Sequence, residues 1–137
     1  MGRRRGAQRG AVLVEFTAVV SVLLIVLLGI VEFGFLMNAR LVITSAAREG
    51  ARRAAVEGGA TPAVMDVVRQ NLAMGLPDAD RAVISIQPYQ ASYGTPIHVR
   101  ISYRYAFMTP LARALWGQGI ELVAEYISRG EKVRARQ

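Results

Sequence analysis

The chain has 137 residues, no cysteine, 53% hydrophobic residues and a formal net charge of +7. This length suits one small domain, and the absence of cysteine excludes disulfides and thiolate metal ligands. A basic net charge often indicates nucleic-acid binding, but four of the 17 Lys and Arg lie within the first nine residues. The other 13 stand against 10 Asp and Glu, so no nucleic-acid partner is predicted.

An apolar run dominates the N-terminal part of the chain. The stretch from Phe16 to Val31 contains no charged residue, and a hydrocarbon core of about 30 Å requires roughly 20 apolar residues in a helix. Residues 11–37 are therefore predicted to form a transmembrane helix that includes two acids, Glu15 and Glu32. An acid at the start of a membrane helix calls for an explanation, because ionised groups are costly inside a bilayer.

Charge next to this run predicts its orientation. Positively charged residues flanking a membrane helix mark its cytoplasmic end. The N-terminus is therefore expected in the cytoplasm, with Asn38 onward outside. The arginines that carry this prediction are Arg3, Arg4, Arg5 and Arg9.

Three interpretations compete for the N-terminal segment. A cleaved secretory signal would have a shorter apolar core and a small-residue cleavage site after it, and none follows Met37. A plain single-pass anchor explains the apolar run and the arginines, but it leaves Gly10 and Glu15 without a role. The third interpretation, a processed membrane helix, gives both residues a role.

The sequence from Gly10 to Phe16, with a basic leader before it and an apolar helix after it, resembles the processing site of type IV pilin-like proteins. In particular it resembles the TadE-like pseudopilins of the Tad (Flp-type) pilus system. The resemblance implies cleavage after Gly10 by a prepilin peptidase, with Ala11 as the new N-terminus. It also implies that Glu15 and Phe16, fifth and sixth in the mature chain, act in assembly with other pilins or pseudopilins and the Tad assembly platform.

The same resemblance implies a minor pseudopilin of the bacterial inner membrane, involved in pilus assembly, surface attachment or secretion. One departure is Ser21, where related sequences often carry proline, so a kink at this point is in doubt. Two other classes remain open. One is a membrane-anchored extracytoplasmic binding module that is neither processed nor polymerised, and the other is an anchored hydrolase.

The helical pattern continues beyond the membrane segment to Glu57, where Gly58 and Gly59 supply a stop. Arginines and glutamates occupy one side of this part at ion-pair spacing. The other side carries small residues that allow close approach of a second element. Packing under the protein's own sheet is preferred over an intersubunit contact for these residues, which are Ala46, Ala47, Gly50, Ala51, Ala54 and Ala55.

A second helix is predicted to begin at Thr61, as N-cap, and Pro62, in the first turn. Its apolar side holds Val64, Val67, Val68 and Leu72, and Gly75 with Pro77 ends it. Asp78 and Asp80 follow in a turn. These two acids alone do not supply the six to eight oxygen ligands that calcium takes, so a solvated turn is expected and no metal site is predicted.

Three strands are predicted in the remaining sequence, at 83–87, 97–105 and 120–128. The middle one alternates most clearly, with apolar or aromatic residues from Ile97 to Tyr105 on one face and polar residues on the other. A helical turn, Pro110 to Trp116, separates the last two strands. The fold class is therefore α+β and pilin-like: a leader at 1–10, a membrane helix at 11–37, and an extracytoplasmic head at 38–137 with an antiparallel sheet of about three strands.

The C-terminal sequence also resembles the TadE-like pattern, more loosely than the N-terminus does. A tyrosine-bearing strand is followed by the turn Thr109-Pro110-Leu111 and then by a strand that runs into Arg129-Gly130-Glu131.

Catalytic groups are scarce. The single histidine, His98, lies on the polar face of a predicted strand, and no nucleophile elbow or phosphate-binding glycine motif is present. Tyrosines, Trp116 and nearby arginines could form a binding surface, although sheet packing already explains Tyr103 and Tyr105. No enzyme activity and no cofactor are predicted.

Overall fold

The computed structural model describes the backbone of residues 3–131 and the side chains of residues 10–131. Within these residues three helices and three strands follow one another, and one 3-10 turn, Ala79–Arg81, precedes the first strand. Their bounds are α1 Arg3–Glu57, α2 Pro62–Gly75, β1 Val83–Gln87, β2 Pro96–Ala106, α3 Pro110–Trp116 and β3 Gly119–Arg129.

Helix α1 contains 55 residues, which corresponds to a length of roughly 80 Å at 1.5 Å per residue. The predicted helix from Ala11 to Glu57 is confirmed, and it is unbroken at Ser21. The basic leader at 1–10, which is short, charged and rich in glycine, was expected not to fold; this is wrong for residues 3–10, because α1 already begins at Arg3. No proline separates the leader from the apolar run, and arginine, alanine and glutamine are good helix formers.

The sheet has the order β1-β2-β3 and is antiparallel throughout. Ile101 in the central strand lies opposite Ile84 on one side and Ala124 on the other. Side chains along β2 alternate between exposed and buried, as the sequence predicted. The sheet packs on the C-terminal half of α1, and α2 packs on the same half. The predicted α+β class with a three-stranded antiparallel sheet is therefore confirmed.

The core lies between α1, α2 and the inner face of the sheet. Ile43 of α1, Val68 of α2 and Val99 of β2 are all completely buried. The stripe of small residues on α1 is buried as well, so these residues pack under the protein's own sheet. Gly50 has no room for a side chain, since a Cβ atom there would lie 2.5 Å from Cγ2 of Val68.

The start and the end of α2 lie where the sequence predicted them. Thr61 is the N-cap of α2, and its hydroxyl accepts a hydrogen bond from the Val64 N–H at 3.3 Å. The helix ends at Gly75. Of the two acids in the following turn, Asp78 lies 3.4 Å from the guanidinium of Arg81, which makes this a surface ion pair.

Candidate functional site

The predicted processing and assembly residues all lie on α1. Gly10, Ala11, Glu15 and Phe16 have exposed side chains or, for Gly10, an exposed backbone. A Cβ atom at Gly10 would meet nothing within 4 Å. Ala11 and Glu15 are four residues apart and so lie one turn apart on the same side of the helix. The four arginines that predict topology have side chains outside the described part of the structure.

The first half of α1 has the properties of a membrane span. Within Gly10–Glu57, an 18-residue window reaches a mean hydropathy of 2.8, and none of that window is buried in the protein. A helix of this kind in the core of a soluble protein would be covered by other elements. Two hydroxyl groups in the span bond within it: the Thr17 hydroxyl donates to the Leu13 carbonyl and the Ser21 hydroxyl to the Thr17 carbonyl, both at 2.8 Å.

Glu32 is the functional residue that the sequence analysis did not assign. It is only 6% exposed, although α1 on either side of it is largely uncovered. Its Oε1 accepts hydrogen bonds from the Tyr105 hydroxyl at 2.8 Å and the Met108 N–H at 3.1 Å. Its Oε2 accepts from the Thr109 N–H at 2.8 Å. This carboxylate therefore joins the membrane helix to the end of β2 and the start of α3, a contact called the Glu32 junction below.

Local sequence explains why the backbone donors of the Glu32 junction are available. Thr109 is the N-cap of α3 and has an extended backbone, and its hydroxyl accepts from the Ala112 N–H at 3.3 Å. Arg113 donates from Nε to the Phe107 carbonyl at 2.9 Å and from a terminal nitrogen to the Met108 carbonyl at 3.0 Å. Arg113 thus binds the carbonyls of Phe107 and Met108. The backbone N–H groups of Met108 and Thr109 face Glu32.

Tyr105 links the Glu32 junction to the core. Its ring is buried and lies edge-on to Phe107, with 5.9 Å between ring centroids. Burial of the hydroxyl, together with its hydrogen bond to Glu32, strongly raises the pKa of Tyr105. The phenol therefore remains a neutral donor at any physiological pH. The predicted sheet-packing role of Tyr103 and Tyr105 is confirmed, since both are buried.

The remaining candidates do not converge on one site. Nδ1 of His98 lies 3.4 Å from a carboxylate oxygen of Glu125 on the exposed face of the sheet. Tyr89 and Tyr93 are exposed in the loop between β1 and β2, whereas Trp116 lies on α3, beside the membrane helix. Among residues 10–131, no group of three His, Asp or Glu is placed to hold a metal ion.

An apolar helix of membrane length whose second half forms the core of a small α+β head is a pilin-like layout. Residues 10–52 match the family model described as TadE-like protein. The predicted resemblance is thereby confirmed for the N-terminal helix, which over these residues is similar to TadE-like proteins. The looser C-terminal resemblance lies outside the matched residues and stays a prediction.

The TadE-like family implies a protein associated with the Tad pilus, and this family is not known to be enzymatic. The family and the one candidate span found among the described residues together fit a single-pass membrane protein. No curated protein and no solved structure matches the chain.

Proposed function

We propose that the protein is a minor pseudopilin of a Tad-type pilus that is inserted in the inner membrane and cleaved between Gly10 and Ala11. The observation that carries this proposal is the family match, which begins at Gly10, the residue at the border between the basic leader and the apolar run. The N-terminus would lie in the cytoplasm and the head outside, because the arginines precede the span.

Assembly would use the uncovered half of α1. Cleavage creates an α-amino group at Ala11, which has a reference pKa of about 7.7–8.0. In a neighbouring subunit displaced along the helix axis, that amine would reach the carboxylate of Glu15. Desolvation offsets much of the attraction between buried charges, so this pair would select the axial register of the subunits more than it would add stability.

Cleavage is tested by the N-terminal sequence of the mature protein. In cells that contain the peptidase, the membrane-extracted protein is expected to begin Ala-Val-Leu-Val-Glu. Gly10→Val should block cleavage, because the absence of a side chain allows close approach to the backbone. Gly6→Val provides a matched control within the leader and should be processed normally. Recovery of the intact leader from wild-type cells would refute processing and favour an unprocessed anchored module.

Assembly is tested by removing the Glu15 carboxylate. Glu15→Ala should leave membrane insertion and cleavage largely unchanged, because an alanine is favourable in an apolar helix. The variant should be lost from sheared pilus fractions and from cross-links to pilin partners. Glu15→Asp retains the charge and should recover part of the assembly. Wild-type yields of Glu15→Ala in both measurements would contradict the proposed pairing.

A further inference from the structure

The segment that joins β2 to β3 has an unusual composition for the surface of a head domain. Between Arg104 and Glu121 lie 16 residues, and Arg113 is the only charged residue among them. Three large apolar side chains of this segment are mostly exposed: Met108 at 55%, Leu115 at 63% and Trp116 at 67%. We call residues 105–120 the α3 segment.

The α3 segment lies beside the membrane span. A groove of about 420 Å³ runs between them, with Ile25, Gly29 and Phe33 on the α1 side and Leu111, Leu115 and Trp116 on the other. Ile25 and Gly29 belong to the stretch without charges, which must occupy the hydrocarbon region if α1 crosses the bilayer. Side chains of α3 therefore lie at the depth of the leaflet on the head's side of the membrane.

Several polar groups of the α3 segment are bonded within the protein. Arg113 donates to the carbonyls of Phe107 and Met108, and the N–H groups of Met108 and Thr109 donate to Glu32. A turn that faces water has no need of such pairing, because water would serve as partner. In a membrane every backbone polar group must be satisfied internally. The turn before α3 meets this condition at the carbonyls of Phe107 and Met108 and at the N–H groups of Met108 and Thr109.

We propose that the α3 segment inserts beside α1 into the leaflet on the head's side of the membrane, so that lipid acyl chains fill the groove and Trp116 lies near the headgroups. Lipid is the occupant because the groove is continuous with the uncovered apolar surface of the span, where Ile25 and Phe33 are exposed. Tryptophan is enriched at this level of membrane proteins, since its ring is apolar and its N–H can bond at the interface. The proposal needs α1 to span the bilayer, and it does not depend on cleavage or polymerisation.

Trp116 is the only tryptophan in the chain, so its fluorescence reports on this segment alone. The full-length protein would be reconstituted in phosphatidylcholine vesicles with phospholipids brominated at shallow or deep acyl positions. We expect blue-shifted emission, loss of most of the intensity with the shallow bromolipid, weaker quenching by the deep one, and little quenching by aqueous iodide. Red-shifted emission that iodide quenches and bromolipid does not would overturn the proposal.

A dilution series distinguishes lipid from a second copy of the chain in the groove. If lipid fills the groove, bromolipid quenching stays constant as the lipid-to-protein ratio is raised. Quenching that is weak at high protein density and grows on dilution would show that protein fills the groove, and it would also overturn the proposal.

A charge in the α3 segment provides the matched variant. Leu115→Lys should shift the emission of Trp116 to the red and reduce its quenching by bromolipid, because a lysine draws this end of α3 toward water. Ile127→Lys places the same charge on the exposed face of β3 and should leave both signals unchanged. Equal behaviour of the two variants would contradict insertion of α3.

Discussion

Replacement of Glu32 by alanine is expected to lower the free energy of unfolding of the head by about 3 kcal/mol, because several donors lose a charged acceptor at once. The Tyr105 hydroxyl and the N–H groups of Met108 and Thr109 all donate to this carboxylate. Beside a membrane they would find little water to replace it. Thermal unfolding of the detergent-solubilised protein measures the loss, and limited proteolysis should show cleavage near Met108.

Two control variants separate the Glu32 junction from the general effect of losing an acid. Tyr105→Phe removes one donor and keeps the ring, so it should cost only about 1 kcal/mol. Glu49→Ala removes a carboxylate from the same helix, where it pairs with Arg52 at 2.7 Å on the surface. Exposed pairs of this kind contribute about 0–1 kcal/mol. If Glu32→Ala were no more destabilising than Glu49→Ala, the Glu32 junction would have no role in holding the head.

Replacement of Gly50 by leucine is expected to destabilise the head by several kcal/mol or to prevent its folding, since overpacking a core costs about 1–3 kcal/mol even for small insertions. A Cβ atom at this position would lie 2.5 Å from Val68 and 3.6 Å from Val99. Both valines are fully buried and β-branched, so their side chains have few alternative rotamers. Thermal unfolding again measures the effect.

Gly34→Leu is the matched control on the same helix. A Cβ atom at Gly34 would have nothing within 4 Å. Leucine is also a better helix former than glycine, by up to about 1 kcal/mol. This substitution should therefore leave the stability of α1 unchanged or raise it. A loss of stability in Gly34→Leu as large as that in Gly50→Leu would show that the effect is not specific to the core.

Local sequence signals predicted most of the fold. Proline after threonine predicted the start of α2, and glycine predicted its end. Alternation of apolar and polar residues predicted β2, and the small residues of α1 predicted a closely packed face under the sheet. Each of these signals depends on neighbours within one or two turns or along one strand, so a single sequence contains the necessary information.

Contacts between distant residues could not be predicted in the same way. Glu32 was visible as an acid in an apolar run, and such residues usually have a partner. Its side-chain partner, Tyr105, is 73 residues away, and the two backbone donors of Met108 and Thr109 have no sequence signature. The position of α3 beside Ile25 and Gly29 could not be predicted either, because it depends on how the sheet packs on α1.

The unbroken course of α1 and the Glu32 junction together fix the direction in which each part of the molecule faces. A helix turns by a constant angle per residue, so the direction of Glu15 about the helix axis is fixed relative to the sheet. The hydrogen bonds of Glu32 oppose rotation of the head about that axis. A partner that binds the membrane half of α1 therefore also sets the direction of the sheet face that carries His98 and Arg100. Rotation of the membrane half of α1 about its axis is therefore expected to rotate the whole head.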